Sequence, residues 1–132
     1  MEKENGYSLI ADVALFNDNS VLFVKYRDAE AYDGQTGWFL PDASIKYLEH
    51  PDKAVGRLLR DQLSLSKISA KLDHIESFKG NNGSWHLSFH YRYDIPDSNL
   101  IPGKGIAEMR WFPWLRCPQR MRSRITVGHS RP

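Results

Sequence analysis

Gly-Trp-Phe-Leu-Pro-Asp-Ala-Ser-Ile-Lys-Tyr-Leu-Glu-His-Pro-Asp-Lys-Ala-Val-Gly-Arg-Leu-Leu-Arg-Asp-Gln-Leu-Ser-Leu, residues 37–65, is the stretch from which the rest of the chain can be placed. Its first residues, Gly37 to Leu40, form a short apolar run that Pro41 closes, which predicts a strand followed by a loop. Pro51 suits the first position of a helix, where a missing N–H costs nothing, and Asp52 complements the positive end of the helix dipole. From there Ala54, Val55, Leu58, Leu59, Gln62 and Leu63 recur at helical spacing. The stretch reads as strand, loop and amphipathic helix.

In register and without a gap, the stretch resembles the Nudix hydrolase signature, G-x5-E-x7-R-E-U-x-E-E-x-G-U, where U is a large aliphatic residue. Ala43 takes the opening glycine, Glu49 the first glutamate, Arg57 the arginine, and Leu59 and Leu65 the aliphatic positions. Beyond it, Val21-Leu22-Phe23-Val24-Lys25 sits where the family carries an apolar strand ending in a base, and Glu108-Met109-Arg110-Trp111-Phe112 is similar to its last sheet strand. The resemblance runs from residue 7 to residue 115. It implies an α/β fold, a Nudix-like α/β/α sandwich with a mixed β-sheet.

It also implies a chemistry. Nudix enzymes generally hydrolyse a nucleoside diphosphate linked to another group, using Mg²⁺ held by three helix glutamates. Carboxylates at i, i+3 and i+4 share one helix face, and the ions they gather activate water and neutralise the diphosphate. Here those positions are Leu58, Asp61 and Gln62. The resemblance thus marks Glu49, Arg57 and Asp61 as the catalytic candidates. The ligand candidates for Mg²⁺ or Mn²⁺ are the Ala43 carbonyl, Asp61, Gln62 and Glu108, with Asp42 as a further carboxylate. One short carboxylate where the family has three predicts weak ion binding. The expectation is a Nudix-fold protein that binds a nucleotide, another phosphorylated ligand or a protein partner, with little pyrophosphate hydrolysis. The alternative is an active hydrolase with an atypical metal site, including an activity like that of GDP-mannose mannosyl hydrolases, in which leucine also replaces the first helix glutamate.

Elsewhere, Tyr7 to Phe16 and Val21 to Tyr26 read as a hairpin around Asn17-Asp18-Asn19-Ser20, and Arg27 to Thr36 as a loop. Leu72 to Phe78 is a strand candidate before the turn Gly80-Asn81-Asn82-Gly83, and Glu108 to Trp114 is the last strand. Trp85 to Ile95 alternates, with His86, Ser88, His90 and Arg92 on one side. Lys25, Arg27, His90 and Arg92 are the candidates for substrate phosphate, although an antiparallel strand with one wet face is the simpler account of the alternation. His86 and His90 stand about 13 Å apart on an extended strand and cannot share an ion.

The chain of 132 residues fits one domain, expected over 1–115, followed by a mobile tail over 116–132. Net charge is +2, yet residues 1–115 hold 13 Lys and Arg against 16 Asp and Glu, and the tail holds five arginines and no acid. A basic nucleic-acid face on the domain is therefore not expected; nucleic acid would be met through the tail alone. One cysteine, Cys117, excludes an internal disulfide framework, and no stretch has the length and apolarity of a membrane span. These features predict a cytoplasmic protein without membrane contact, its oligomeric state open.

Overall fold

The computed structural model of the protein describes residues 6–28, 37–80, 83–97 and 99–114. The tail, most of the loop before Gly37, and the tip of the Gly80–Gly83 turn lie outside the described residues. Six strands and a helix follow one another: β1 (Tyr7–Asn17), β2 (Ser20–Tyr26), β3 (Asp42–Ser44), α1 (Pro51–Leu63), β4 (Lys71–Lys79), β5 (Trp85–Asp94) and β6 (Ile106–Pro113). They form one mixed sheet in the order β4-β5-β1-β2-β6, with β3 also paired to β1. The β1–β5 pair is parallel and the rest antiparallel. The mixed sheet and the packed helix agree with the expected α/β class. α1 is the one helix among the described residues, so a second helical layer is not part of the described structure. That helix is not long and apolar enough to cross a membrane.

The hairpin expected at Asp18 is present, and its two strands separate at once. β1 meets β2 only at Phe16↔Val21 and Asn17↔Ser20. The gap that opens is filled by residues 39–45, where Phe39 exchanges hydrogen bonds with Val24 and Pro41 O accepts from Val13 N at 3.0 Å. The strand expected over Gly37 to Leu40 is therefore displaced: Phe39 makes an isolated bridge, and the paired strand lies beyond the proline at Asp42–Ser44. Pro41 lacks an N–H, but its carbonyl is still available to β1, so it starts the pairing instead of ending it.

Alternation on β1 sorts the two faces. Ala11, Val13 and Leu15 join Leu22, Val24 and the α1 residues Ala54, Val55, Leu58, Leu59 and Leu63 in the larger core. On the opposite face Ala14, Phe16, Val21, Phe23 and Leu40 form a second core under Trp38, Phe112 and Trp114. Trp111 and Phe112 thus serve different cores. The helix starts as its sequence predicts: Pro51 is its first residue, and His50 caps it through a bond from Asp52 N to the imidazole. It ends at Ser64, whose φ of 58° turns the chain left-handed where the signature has glycine.

Candidate functional site

Two ties fasten α1 to the loop before it. The first is Glu49 with Arg57. The guanidinium reaches both carboxylate oxygens, Nε to Oε2 at 3.0 Å and Nη2 to Oε1 at 2.8 Å, and Nη2 also donates to Ser44 O at 2.8 Å. Lys46 N adds a bond to the same carboxylate at 2.9 Å. The Arg57 hydrogen bond, and then the Lys46 N–H, hold the Glu49 pKa down at about 2, while Glu49 raises that of Arg57. Planar, bidentate pairing of this kind fixes orientation as well as charge.

The second tie is Gln62. Its Nε2 donates to Asp42 O at 2.8 Å, and its Oε1 accepts from the Tyr26 hydroxyl at 2.8 Å. The Tyr26 oxygen in turn accepts from Asp42 N at 2.9 Å. Three neutral groups from β2, β3 and α1 thus satisfy one another. Sequence reasoning named Gln62 as a metal candidate but missed Tyr26 and the Asp42 carbonyl, because backbone acceptors and cross-sheet contacts leave no trace in spacing.

The remaining candidates divide. Leu58 is 1% exposed and belongs to the larger core, so nothing at that position faces a ligand. Asp61 is exposed on α1, near enough to Arg57 to contribute to its raised pKa. Ala43 pairs with Ala11, two residues along β3 from Ile45, whose N–H bonds Leu9 O, and two from Pro41, which accepts from Val13 N. In that register the Ala43 carbonyl is turned into the ladder and the Asp42 carbonyl toward α1. Glu108 lies on β6 opposite Lys25, with its carboxylate 3.9 Å from the ammonium and 3.9 Å from the Arg110 guanidinium. Lys25 and Arg110 both approach the Trp38 ring, at 4.8 and 5.3 Å. Arg27 is tied to the Lys104 carbonyl at 2.9 Å. The structure therefore brings Lys25 and Glu108 together, and separately Gln62, Tyr26 and Asp42.

The polar side of β5 is not wet. Ser88 and His90 are 7% and 8% exposed, whereas Trp85 on the other side is 55% exposed. The reading of β5 as an antiparallel strand with one solvated face is corrected in its second part: β5 is antiparallel to β4 and parallel to β1, and its polar side is covered at Ser88 and His90. His90 lies between two carboxylates, Nδ1 at 2.8 Å from Asp12 and Nε2 at 2.7 Å from Glu76. Burial pulls the His90 pKa down, but Asp12 and then Glu76 outweigh it, so the net shift is upward. Arg92 stacks over the Phe16 ring at 4.0 Å and reaches Asp94 at 3.5 Å. Asp12 was the one legible signal for this constellation: a lone acid inside the apolar run Leu9 to Phe16.

No family model matches the sequence, and no curated protein matches it. Among solved structures, a MutT Nudix hydrolase from Burkholderia pseudomallei aligns with TM-score 0.71 and 20% identity, over 86% of this chain and 88% of that one. The Nudix domain of Shewanella oneidensis NrtR, solved in complex with ADP ribose, aligns with TM-score 0.66 and 19% identity, over 81% and 73% of the two chains. A C. elegans Ap4A hydrolase, solved as a binary complex, aligns with TM-score 0.61 and 12% identity, over 90% and 89%. The chain has the Nudix fold. At such identities the likeness speaks for the fold, and the chemistry rests on this chain's own residues. In the Nudix frame, α1 with residues 42–50 is the strand-loop-helix of the signature, and its Glu49–Arg57 and Gln62–Asp42 ties hold it closed.

Proposed function

We propose that this Nudix-fold chain binds a nucleotide or another phosphorylated small molecule and hydrolyses its diphosphate little or not at all. The observation that carries the reading is the Gln62 amide, whose Nε2 donates to Asp42 O at 2.8 Å. A carboxylate in place of that amide would face the carbonyl oxygen to oxygen and would need a cation between them. The amide supplies its own bridge, and its N–H groups repel a cation.

The other donors do not make up the loss. Mg²⁺ demands near-octahedral oxygen ligands, usually one or two carboxylates with substrate phosphates. Leu58 is core, Glu49 is committed to Arg57, and Glu108 is engaged by Lys25 and Arg110. Asp61 is left as a single exposed carboxylate on that helix face. The residues of this chain thus fit Mg²⁺ or Mn²⁺ at α1 poorly.

Ligand binding is supported by the fold, since a neighbour of similar architecture was solved with ADP ribose. It is also supported by Lys25 and Arg110 beside Trp38, which offer two cations and an aromatic face for a phosphate and a base. Calorimetry with ADP ribose and related nucleoside diphosphate derivatives, paired with a turnover assay in Mg²⁺ or Mn²⁺, tests the reading. Saturable binding without product release is the expected result. Turnover abolished by Asp61→Ala would overturn it in favour of an atypical hydrolase.

A further inference from the structure

On the sheet face opposite α1, one row of side chains crosses three neighbouring strands. Asp12 of β1, His90 of β5 and His74 of β4 stand in register, and Glu76 follows two residues along β4 on the same face. The His74 and His90 rings stack, with centroids 4.5 Å apart and planes inclined by 28°. His90 Nε2 meets Glu76 Oε1 at 2.7 Å. One ligand atom from each of His74, Glu76 and His90 lies within 4.8 Å of the other two.

Each imidazole has its other nitrogen on a carboxylate: His90 Nδ1 is 2.8 Å from Asp12, and His74 Nδ1 is 2.9 Å from Asp73. An ionised carboxylate only accepts, so both Nδ1 atoms carry the proton. Nε2 is therefore the ligating nitrogen of each ring, on His90 once the proton it shares with Glu76 is displaced. Carboxylate-held histidines of this kind are the usual outer support of an imidazole that binds a metal.

We propose that His74, Glu76 and His90 form a binding site for a first-row transition dication, Zn²⁺ foremost, with Asp12 and Asp73 orienting the two imidazoles. Two imidazoles and a carboxylate suit Zn²⁺ and its neighbours in the series and disfavour Mg²⁺. The ion takes the place of the proton between His90 Nε2 and Glu76 Oε1, and that proton leaves to solvent. Ligand bonds of about 2.0–2.1 Å to a tetrahedral ion set the ligand atoms about 3.3 Å apart. The Glu76–His90 contact therefore opens by about 0.6 Å, and the widest separation closes by up to about 1.5 Å. Glu76 can make that adjustment: its side chain is 36% exposed and sits on the edge strand, while those of His74 and His90 are 13% and 10% exposed and already held. Water from the open edge supplies the fourth ligand.

The test titrates Zn²⁺ into the chelator-treated full chain by calorimetry, with Co²⁺ as a spectroscopic substitute. One ion per chain is expected, bound in the micromolar range or tighter, with visible tetrahedral Co²⁺ bands that Zn²⁺ displaces. Glu76→Gln lowers the affinity by at least about 10-fold and Asp12→Asn by about 10- to 100-fold, with circular dichroism unchanged. His74→Ala, on the edge strand, removes the Co²⁺ bands and decides the matter if Asp12→Asn fails to fold. Zn²⁺ binding weaker than millimolar in the wild type, or binding that survives both Glu76→Gln and His74→Ala, overturns the proposal. Either result means that His90 is merely a protonated bridge between two acids. The site lies on β4, β5 and β1, away from α1 and from the β2–β6 pair that carries Lys25 and Arg110, so its failure leaves the ligand-binding reading untouched.

Discussion

Gln62→Glu changes an amide into a carboxylate of the same size at the point where α1 meets the loop. The bond from Nε2 to Asp42 O, 2.8 Å in the wild type, is lost and becomes an oxygen–oxygen contact. Losing that bond while a charged oxygen faces the part-buried Asp42 carbonyl, which keeps only the longer 3.3 Å contact from the Tyr26 hydroxyl, costs about 2–3 kcal/mol in all. Against this, the Tyr26 hydroxyl now donates to a charged oxygen, which returns about 1 kcal/mol. The variant should therefore be destabilised by about 1–2 kcal/mol near neutral pH, which for a domain of this length lowers Tm by about 4–8 °C.

The pH dependence has a definite sign. Once protonated, the introduced carboxyl can donate to Asp42 O as the amide did, so its folded pKa lies above the unfolded value of about 4.3. The variant matches the wild type below that unfolded value and loses stability as pH rises through the folded pKa. Mn²⁺ should restore the variant by binding between the new carboxylate and the carbonyl, by about 1.4 kcal/mol at ten times its Kd. The wild type should show no such gain. Thermal melts across pH, with and without Mn²⁺, measure all of this. Equal stability of the two proteins at neutral pH without metal, or an equal response to Mn²⁺, would refute the reasoning.

Three further outcomes are expected. Leu58→Ala opens a void in the larger core and should cost about 2.5–5 kcal/mol in a denaturant titration, as a core leucine and not a surface ligand position would. Gly103→Ala places a Cβ against the Asp61 carbonyl, where Gly103 N also bonds Gln62 O, and should destabilise the fold by about 1–3 kcal/mol with a matching drop in Tm. Glu49→Gln should weaken the loop tie above pH 4.5, the ordinary value for a glutamate. Because the Glu49 pKa is depressed to about 2, its contribution is fully present above that ordinary value and fades as pH falls toward 2, so the two stability curves should converge over that interval.

Local signals were readable and long-range ones were not. Pro51, Asp52 and the apolar spacing to Leu63 set the helix ends, and Asp18 with Asn19 set the hairpin, because caps and turns depend on adjacent residues. The Nudix fold was legible through the resemblance of residues 43–65 to the family signature, whose Glu49 and Arg57 the structure draws into one loop–helix junction with Ser44. β3 shifted past Pro41 because the opening between β1 and β2 invites pairing there, a feature of the sheet and not of the segment. The face holding His90 was misjudged for a related reason. Its partner Asp12 is 78 residues away, joined by a parallel pairing that alternation along β5 cannot reveal. Glu76 and His74 come from the edge strand β4, and an exposed edge gave no periodic cue to a buried row.

Whether α1 closes without an ion is tested most directly by quenched turnover of ADP ribose in saturating Mg²⁺ or Mn²⁺. The expected result is a bound nucleotide recovered intact, with no nucleoside monophosphate above the enzyme-free blank. Steady release of product that disappears in Asp61→Ala would contradict the account, since it would mean that Asp61 holds a working ion beside the Gln62 amide.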